Sequence, residues 1–187
     1  MKNLLRCSAL LLLNAFALHA TAATNWVMDP KQSSLQFTGT QAGAQFQGSF
    51  KSFSADIKFD PQDLASSRFD VSIDLGSVST QDKDRDETVK GPDFFGIAKW
   101  PRAHYVTQTI SAKNAMTYIG NGKLSLRDAN RDTPITFTFQ INGNQGLLKG
   151  TAALKRLDFG VGQGEWKDTS SVGNDVTVQF TLALKKQ

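Results

Sequence analysis

Cysteine is almost absent from this chain, and the one present, Cys7, lies near its beginning. Residues Met1 to Ala22 combine basic Lys2 and Arg6, an apolar run from Ala9 to Leu18 and the small-residue sequence Ala20-Thr-Ala22. That is the pattern of a secretory signal peptide, cut after Ala22 or Ala23. The apolar run, interrupted by Asn14 and followed by His19, falls short of the roughly 20 residues that span a bilayer. A lipoprotein reading of Leu4-Leu-Arg-Cys7 fails because the apolar run follows the cysteine instead of preceding it. The mature chain, residues 23–187, is therefore expected to be periplasmic or secreted, without disulfide, lipid anchor or thiol chemistry.

Excess charge of one sign is equally scarce. With Lys2 and Arg6 removed, the 21 basic residues fall to 19 against 17 acidic ones, a net charge of +2. That is too little to argue for nucleic acid or an anionic membrane surface as partner. Of two histidines only His104 remains, and a lone histidine without cysteine cannot build a zinc site. No Pro/Ser linker or low-complexity tract divides the chain, which suits one domain with a sizeable core. Phenylalanine, by contrast, is plentiful: 13 residues, one of them in the leader.

Those rings fall on alternating positions. Phe46, Gly48 and Phe50 alternate with polar residues, then Phe53, Ala55, Ile57 and Phe59 do so with opposite parity, which predicts a bulge or bend near Lys51-Ser52. Phe69 to Leu75, Ile135 to Ile141 and Val176 to Leu184 repeat the pattern. Trp26 to Met28, Ser34 to Phe37, Tyr105 to Ile110, Ala115 to Ile119, Lys123 to Leu126 and Leu148 to Leu154 are further strands. Asn121-Gly122 reads as a hairpin turn and Arg127 to Pro134 as a polar connection. About eight or nine strands joined by short turns, each with one apolar and one wet face, predict an all-β antiparallel meander closed into a barrel.

The only long break is Ser77 to Pro101. A cap at Ser79 or Thr80 and the acids Asp82, Asp84 and Asp86 predict a short helix over Gln81 to Val89. Gly91-Pro92 stops it, and Asp93 is expected to cap a second helical turn carrying Phe94, Phe95 and Ile97.

The motifs of this stretch, Ser77-Val-Ser-Thr80, Arg85-Asp86, Asp93-Phe94-Phe95 and Trp100-Pro101, closely resemble the YceI-like family of secreted bacterial proteins, also described as polyisoprenoid-binding. The resemblance extends to Trp26-Val-Met-Asp29, Ser33-Ser-Leu-Gln-Phe37, Phe46-Gln-Gly-Ser-Phe50, Leu157-Asp-Phe-Gly160 and Val172-Gly-Asn-Asp-Val176-Thr-Val-Gln-Phe180. It implies a lipocalin-like barrel of about eight strands, with a short helical insertion near residues 81–98. Its apolar tunnel would hold a long-chain amphiphile such as a polyisoprenoid, an isoprenoid quinone or a fatty-acid derivative. It also implies a homodimer. The Phe-x-Gly-x-Phe shape is similar to the branch that accompanies membrane cytochromes of the b561 type. Two stretches depart from the family pattern, Thr38 to Gly43 and Arg127 to Asp132.

On this reading Phe37, Phe46, Phe50, Phe53, Phe69, Ile73, Phe94, Phe95, Trp100, Phe137, Phe139, Trp166 and Phe180 are the candidate tunnel lining. Arg85 and Asp86, with Gln163 and Lys167, are the candidate polar mouth. Alternation alone does not separate a hollow barrel from a filled one, because the inward face is the same in both.

Other chemistries lack parts. The Asp82-x-Asp84-x-Asp86 run has Glu87 and Asp93 where a calcium loop needs Gly and a bidentate Glu, so no metal is expected and Arg85-Asp86 reads as a structural pair. Gly160-x-Gly162-x-Gly164 lacks the flanking strand and helix of a phosphate loop and reads as a loop at the mouth with Trp166 as gate. No Gly-x-Ser-x-Gly elbow supports a hydrolase, and no cofactor or catalytic residue is expected. A hydrolase or isomerase using His104 or the acidic run, and a solid barrel serving as an assembly surface, stand as alternatives to the lipid carrier.

Overall fold

The computed structural model describes residues 23–187. The signal-peptide reading of residues 1–22 lies outside them. Twelve strands are formed: β1 (Asn25–Met28), β2 (Ser34–Gln41), β3 (Ala44–Phe50), β4 (Phe53–Lys58), β5 (Arg68–Asp74), β6 (Val78–Ser79), β7 (Arg102–Ala112), β8 (Thr117–Leu126), β9 (Ala129–Asp132), β10 (Ile135–Asn142), β11 (Gln145–Lys155) and β12 (Asp175–Lys186). Among the described residues one α-helix, α1 (Lys83–Lys90), interrupts them.

The pairings are antiparallel and close on themselves. The order runs β1-β4-β5-β7-β8-β10-β11-β12, and β12 pairs back onto β1. β12 is long enough to carry two partners, β1 along Leu184–Lys186 and β2 along Ser34's partner Thr181 back to Thr177. β1 and β2 are thus two halves of one barrel strand, broken at Asp29-Pro30, where proline has no amide to give the ladder. The Asp29 carboxylate accepts from the Lys31 amide and the Gln32 side chain, and these bonds lower its pKa. β3 and β4 are likewise halves of one strand, broken between Phe50 and Phe53 at the expected bend. There the Lys51 amide donates to the Ser77 carbonyl and the Ser52 amide to Ser77 Oγ. Merging the halves leaves an eight-stranded antiparallel barrel.

Four local expectations are corrected. Arg127 to Pro134, read as a polar connection, contains β9 (Ala129–Asp132), which pairs with β8. Asn121-Gly122 makes no turn, since β8 runs straight through it. Gly122 serves close approach instead: a Cβ there would stand 2.5 Å from the Val106 carbonyl and 2.6 Å from the Tyr105 hydroxyl. The turn between β7 and β8 lies earlier, where the Lys113 amide donates to the Thr117 carbonyl at 2.8 Å. The helix starts later than predicted, because Asp82 and not Ser79 or Thr80 caps it, accepting from the Arg85 amide at 3.0 Å. The segment after Gly91 is a series of tight turns, not a second helix.

Candidate functional site

The barrel interior is divided along its length. At the end formed by β1, the close of β4 and the middle of β10, aromatic rings fill it. Phe59 stacks on Phe139 at 4.4 Å and meets Tyr118 edge-on at 5.1 Å. Phe137 meets Phe69 at 5.0 Å and Tyr118 at 5.4 Å, and Trp26 leans on Phe139 at 5.1 Å. The Trp26 indole N–H within this plug donates to the Phe59 carbonyl at 3.0 Å, so that buried donor is satisfied.

At the other end the rings stand apart around an apolar cavity of about 220 Å³. Phe37, Phe46, Phe50, Phe53, Phe69, Ile73, Phe94, Phe95 and Phe180 line it. Trp100, Phe137, Phe139 and Trp166 do not. Phe137 and Phe139 belong to the plug, because their depth in the barrel sets them against Phe59 and Tyr118. Trp100 faces outward between Lys99 and Arg127, with the cations 4.4 and 4.5 Å from its ring. Trp166 backs Phe94 from outside the cavity, the rings 5.4 Å apart.

The expected pairing of Arg85 with Asp86 is not formed, since successive residues on a helix point away from each other. Arg85 instead ion-pairs with Asp82 at 3.7 Å, donates from Nε to Gln41 Oε1 on β2 at 3.0 Å and lies 4.6 Å from the Phe46 ring centre. Asp86 accepts from the Thr80 amide and hydroxyl at 2.6 and 2.7 Å. The two hold α1 on the rim, and neither lines the cavity.

Three segments close the mouth. The turns after α1 bring Phe94 and Phe95 inward, and the Asp93 carbonyl accepts from the Gly162 and Gln163 amides at 2.7 and 2.8 Å, tying this segment to the glycine loop. Arg127, after β8, donates from Nη1 to the Pro92 and Phe94 carbonyls. Gln163 and Lys167 lie on an adjoining groove outside the cavity.

Arg156 was not foreseen from the sequence. It is 6 % exposed, lines the cavity, and donates every guanidinium N–H to a carbonyl. Nε donates to Gly173, Nη1 to Val161 and Gly162, and Nη2 to Trp166 and Val172, at 2.6 to 3.4 Å. Its burial lowers its pKa from the ordinary guanidinium value. The glycine loop is therefore wrapped around a buried cation, which fixes its shape. Tyr105, also in the wall, donates its hydroxyl to the Gly120 and Thr133 carbonyls. The cavity wall consequently presents hydrocarbon, with its few polar groups already engaged.

His104 sits on the outer face of β7, 2.6 Å from Asp70, and lines neither cavity nor groove. Among the described residues no three metal-binding side chains cluster, and no helix is long and apolar enough to cross a membrane.

An eight-stranded antiparallel barrel stopped by aromatics at one end and opening into an apolar cavity at the other defines the class of hollow, ligand-sized β-barrels. Residues 26–184 match the YceI-like domain, and the chain belongs to that family. A UPF0312 protein of Pseudomonas syringae pv. syringae is 26% identical over 174 residues, 88% of each chain. The crystal structure of Burkholderia cenocepacia BcnA superposes with a TM-score of 0.81 at 33% identity, covering 83% of this chain and 98% of that one. A polyisoprenoid binding domain from Saccharophagus degradans, implicated in plant cell wall breakdown, shares the fold at a TM-score of 0.69 and 16% identity, covering 88% and 99%.

Proposed function

We propose that the protein is a non-catalytic periplasmic carrier that shelters the chain of an amphipathic lipid, a polyisoprenoid, isoprenoid quinone or fatty-acid derivative, in the barrel. The observation that carries this reading is the apolar cavity at one end of the barrel, bounded largely by half-buried rings under the mouth segments, while the other end is packed solid. Burying an alkyl or prenyl chain against such a wall gains about 25 cal/mol per Å², so affinity needs no polar contact within the cavity. The fold shared with a protein described as a polyisoprenoid binding domain supports the same class of cargo.

At about 220 Å³ the cavity is smaller than the roughly 300–1,000 Å³ of sites for drug-sized ligands. A long chain therefore enters by rotating the rings that line it. Phe46, Phe50 and Phe95 are only half-buried and have that freedom, whereas the rings of the plug do not. The carrier is thus expected to take a slim, flexible chain and to refuse a rigid polycyclic one.

Native mass spectrometry of the purified protein, before and after organic extraction, tests this. A stoichiometric apolar mass released on extraction is the expected result. Protein that arrives bare and takes up no prenyl or acyl chain when offered one overturns it.

A further inference from the structure

Phe159 is only 3 % exposed and lines two spaces at once: the apolar cavity on one side and an open groove of about 540 Å³ on the other. The groove is polar where the cavity is not. Arg131 and Lys167 bring positive charge to it, Asp128 and Asp158 negative, and Gln163 an amide. Phe159 is the one residue that lines both spaces, so an amphiphile whose chain occupies the cavity reaches the groove by displacing that single ring.

The groove floor is bare at Gly160, which takes a left-handed φ of +66° that disfavours any side chain. A Cβ built there would stand 3.8 Å from the Gln163 side-chain nitrogen and 3.9 Å from Arg127 Nε. Two side-chain nitrogens therefore stand within 4 Å of the space over Gly160, Gln163 from the groove lining and Arg127 from beneath it. Arg127 Nε is buried and has no hydrogen-bond partner, although Nη1 of the same side chain is engaged with two carbonyls. Leaving a charged N–H unpaired away from water is costly. The Gln163 amide is nearly as free, since its one bond, to the Gly162 carbonyl, is 3.5 Å long. The buried cation of Arg156 stands behind the same loop.

We propose that the floor over Gly160 is a head-group subsite in which Arg127 Nε–H and the Gln163 amide together hold an oxygen acceptor, a carbonyl, hydroxyl or carboxylate, of the cargo. This rests on the carrier reading and adds a choice of head group to it. The charges lining the groove balance, Arg131 and Lys167 against Asp128 and Asp158, so the choice falls to the two donors over Gly160, where an ammonium head finds no acceptor and is refused. The acceptor also completes the hydrogen bonding of Arg127, the residue that clasps Pro92 and Phe94, so a seated head group stabilises the closed mouth.

Calorimetric titration of the full mature chain with decanoic acid, decanol and decylamine near neutral pH tests this. The acid and the alcohol are expected to bind at least about tenfold more tightly than the amine. Gln163→Leu, and separately Arg127→Lys, which removes the Nε–H but keeps a cation, should weaken the acid and alcohol about tenfold and leave the amine unchanged. If all three probes bind the parent alike, or both variants keep its preference, the subsite is wrong while the carrier stands. If none binds, both are wrong. A variant that weakens all three probes equally has lost mouth geometry instead of an acceptor contact, and that result too counts against the subsite.

Discussion

Phe37 lies directly across from Gly48 on the neighbouring strand, so near that a Cβ on Gly48 would stand 2.3 Å from the ring's Cζ. Phe46 and Phe50 flank the gap, their ring centres 6.3 and 5.6 Å from that of Phe37. The Phe-x-Gly-x-Phe motif is therefore a slot, two rings with a bare glycine between them, cut to receive a third ring from β2. It keeps Phe37 against the wall and out of the cavity.

Gly48→Ala should push Phe37 into the cavity. The displaced ring costs about 1–3 kcal/mol of stability, as overpacking does, and reduces uptake of a prenyl or acyl chain. Chemical denaturation and ligand titration measure the two effects. Unchanged uptake with Phe37 still against the wall would show that the slot does not set the width of the cavity.

The plug and the cavity wall should respond differently to truncation. Phe137 is 1 % exposed and meets other rings on several sides, so Phe137→Ala is expected to cost about 3–5 kcal/mol. Phe46 is half-buried and faces open space, so Phe46→Ala should cost no more than about 2 kcal/mol. Equal losses in urea denaturation would mean that the interior is uniformly packed and that no hollow persists in solution.

Ala152, on β11, faces the cavity and offers the converse experiment. Ala152→Trp fills the space from within. In a hollow barrel the variant keeps its melting temperature to within a few degrees and loses chain uptake. In a filled one it meets a packed core and loses about 1–3 kcal/mol or more.

Strand positions and inward faces were legible in the sequence because alternation is local, and the parity switch between Phe50 and Phe53 located the strand break. Depth was not legible. Phe137 and Phe180 occupy the same kind of position on well-patterned strands, yet one is plug and the other cavity wall. The difference lies in Tyr118, directly across from Phe137 on β8, and in Phe59, just past the end of β4, whose rings close on it. Asn121-Gly122 carried the signature of a turn, but its glycine answers to the Tyr105 side chain packed against it. Arg156, within Lys155-Arg-Leu157, looks like a solvated charge. Its partners are backbone carbonyls as many as 17 residues further on, which no side-chain pattern encodes. The one clue was the glycine-rich loop itself, which needs an anchor to keep a fixed shape.

That anchor is testable. Arg156→Met leaves five carbonyls without their donor and should lower stability by at least about 3 kcal/mol, given roughly 1–3 kcal/mol per buried group left unpaired. Arg156→Lys should not restore it, because an ammonium has three donors and no planar fork. Hydrogen exchange would then rise first at the Gly162 and Gln163 amides, whose bonds to the Asp93 carbonyl hold the mouth segments together. Protection retained there in Arg156→Met would mean the loop is held by other means.

Tyr105 sets the alkaline limit. Its hydroxyl donates to the Gly120 and Thr133 carbonyls at 3.3 and 3.1 Å, and burial pushes its phenol well above the ordinary value of 10.0. In the unfolded chain the phenol releases its proton near pH 10.0 while the folded protein still holds it, so above that pH the unfolded state binds fewer protons. Stability from this group is therefore complete below pH 10.0 and declines as pH rises toward the folded value. Tyr105→Phe removes one hydrogen bond shared between two carbonyls and should lower stability near neutral pH by about 1–2 kcal/mol. It also removes the titration, so its stability should fall less steeply above pH 10.0 than that of the parent, and the gap between the two should narrow. Urea midpoints of both proteins, taken on either side of that pH, decide the matter. Parallel decline, with the gap constant throughout, would assign the alkaline loss to other groups and leave Tyr105 a purely structural hydrogen bond in the cavity wall.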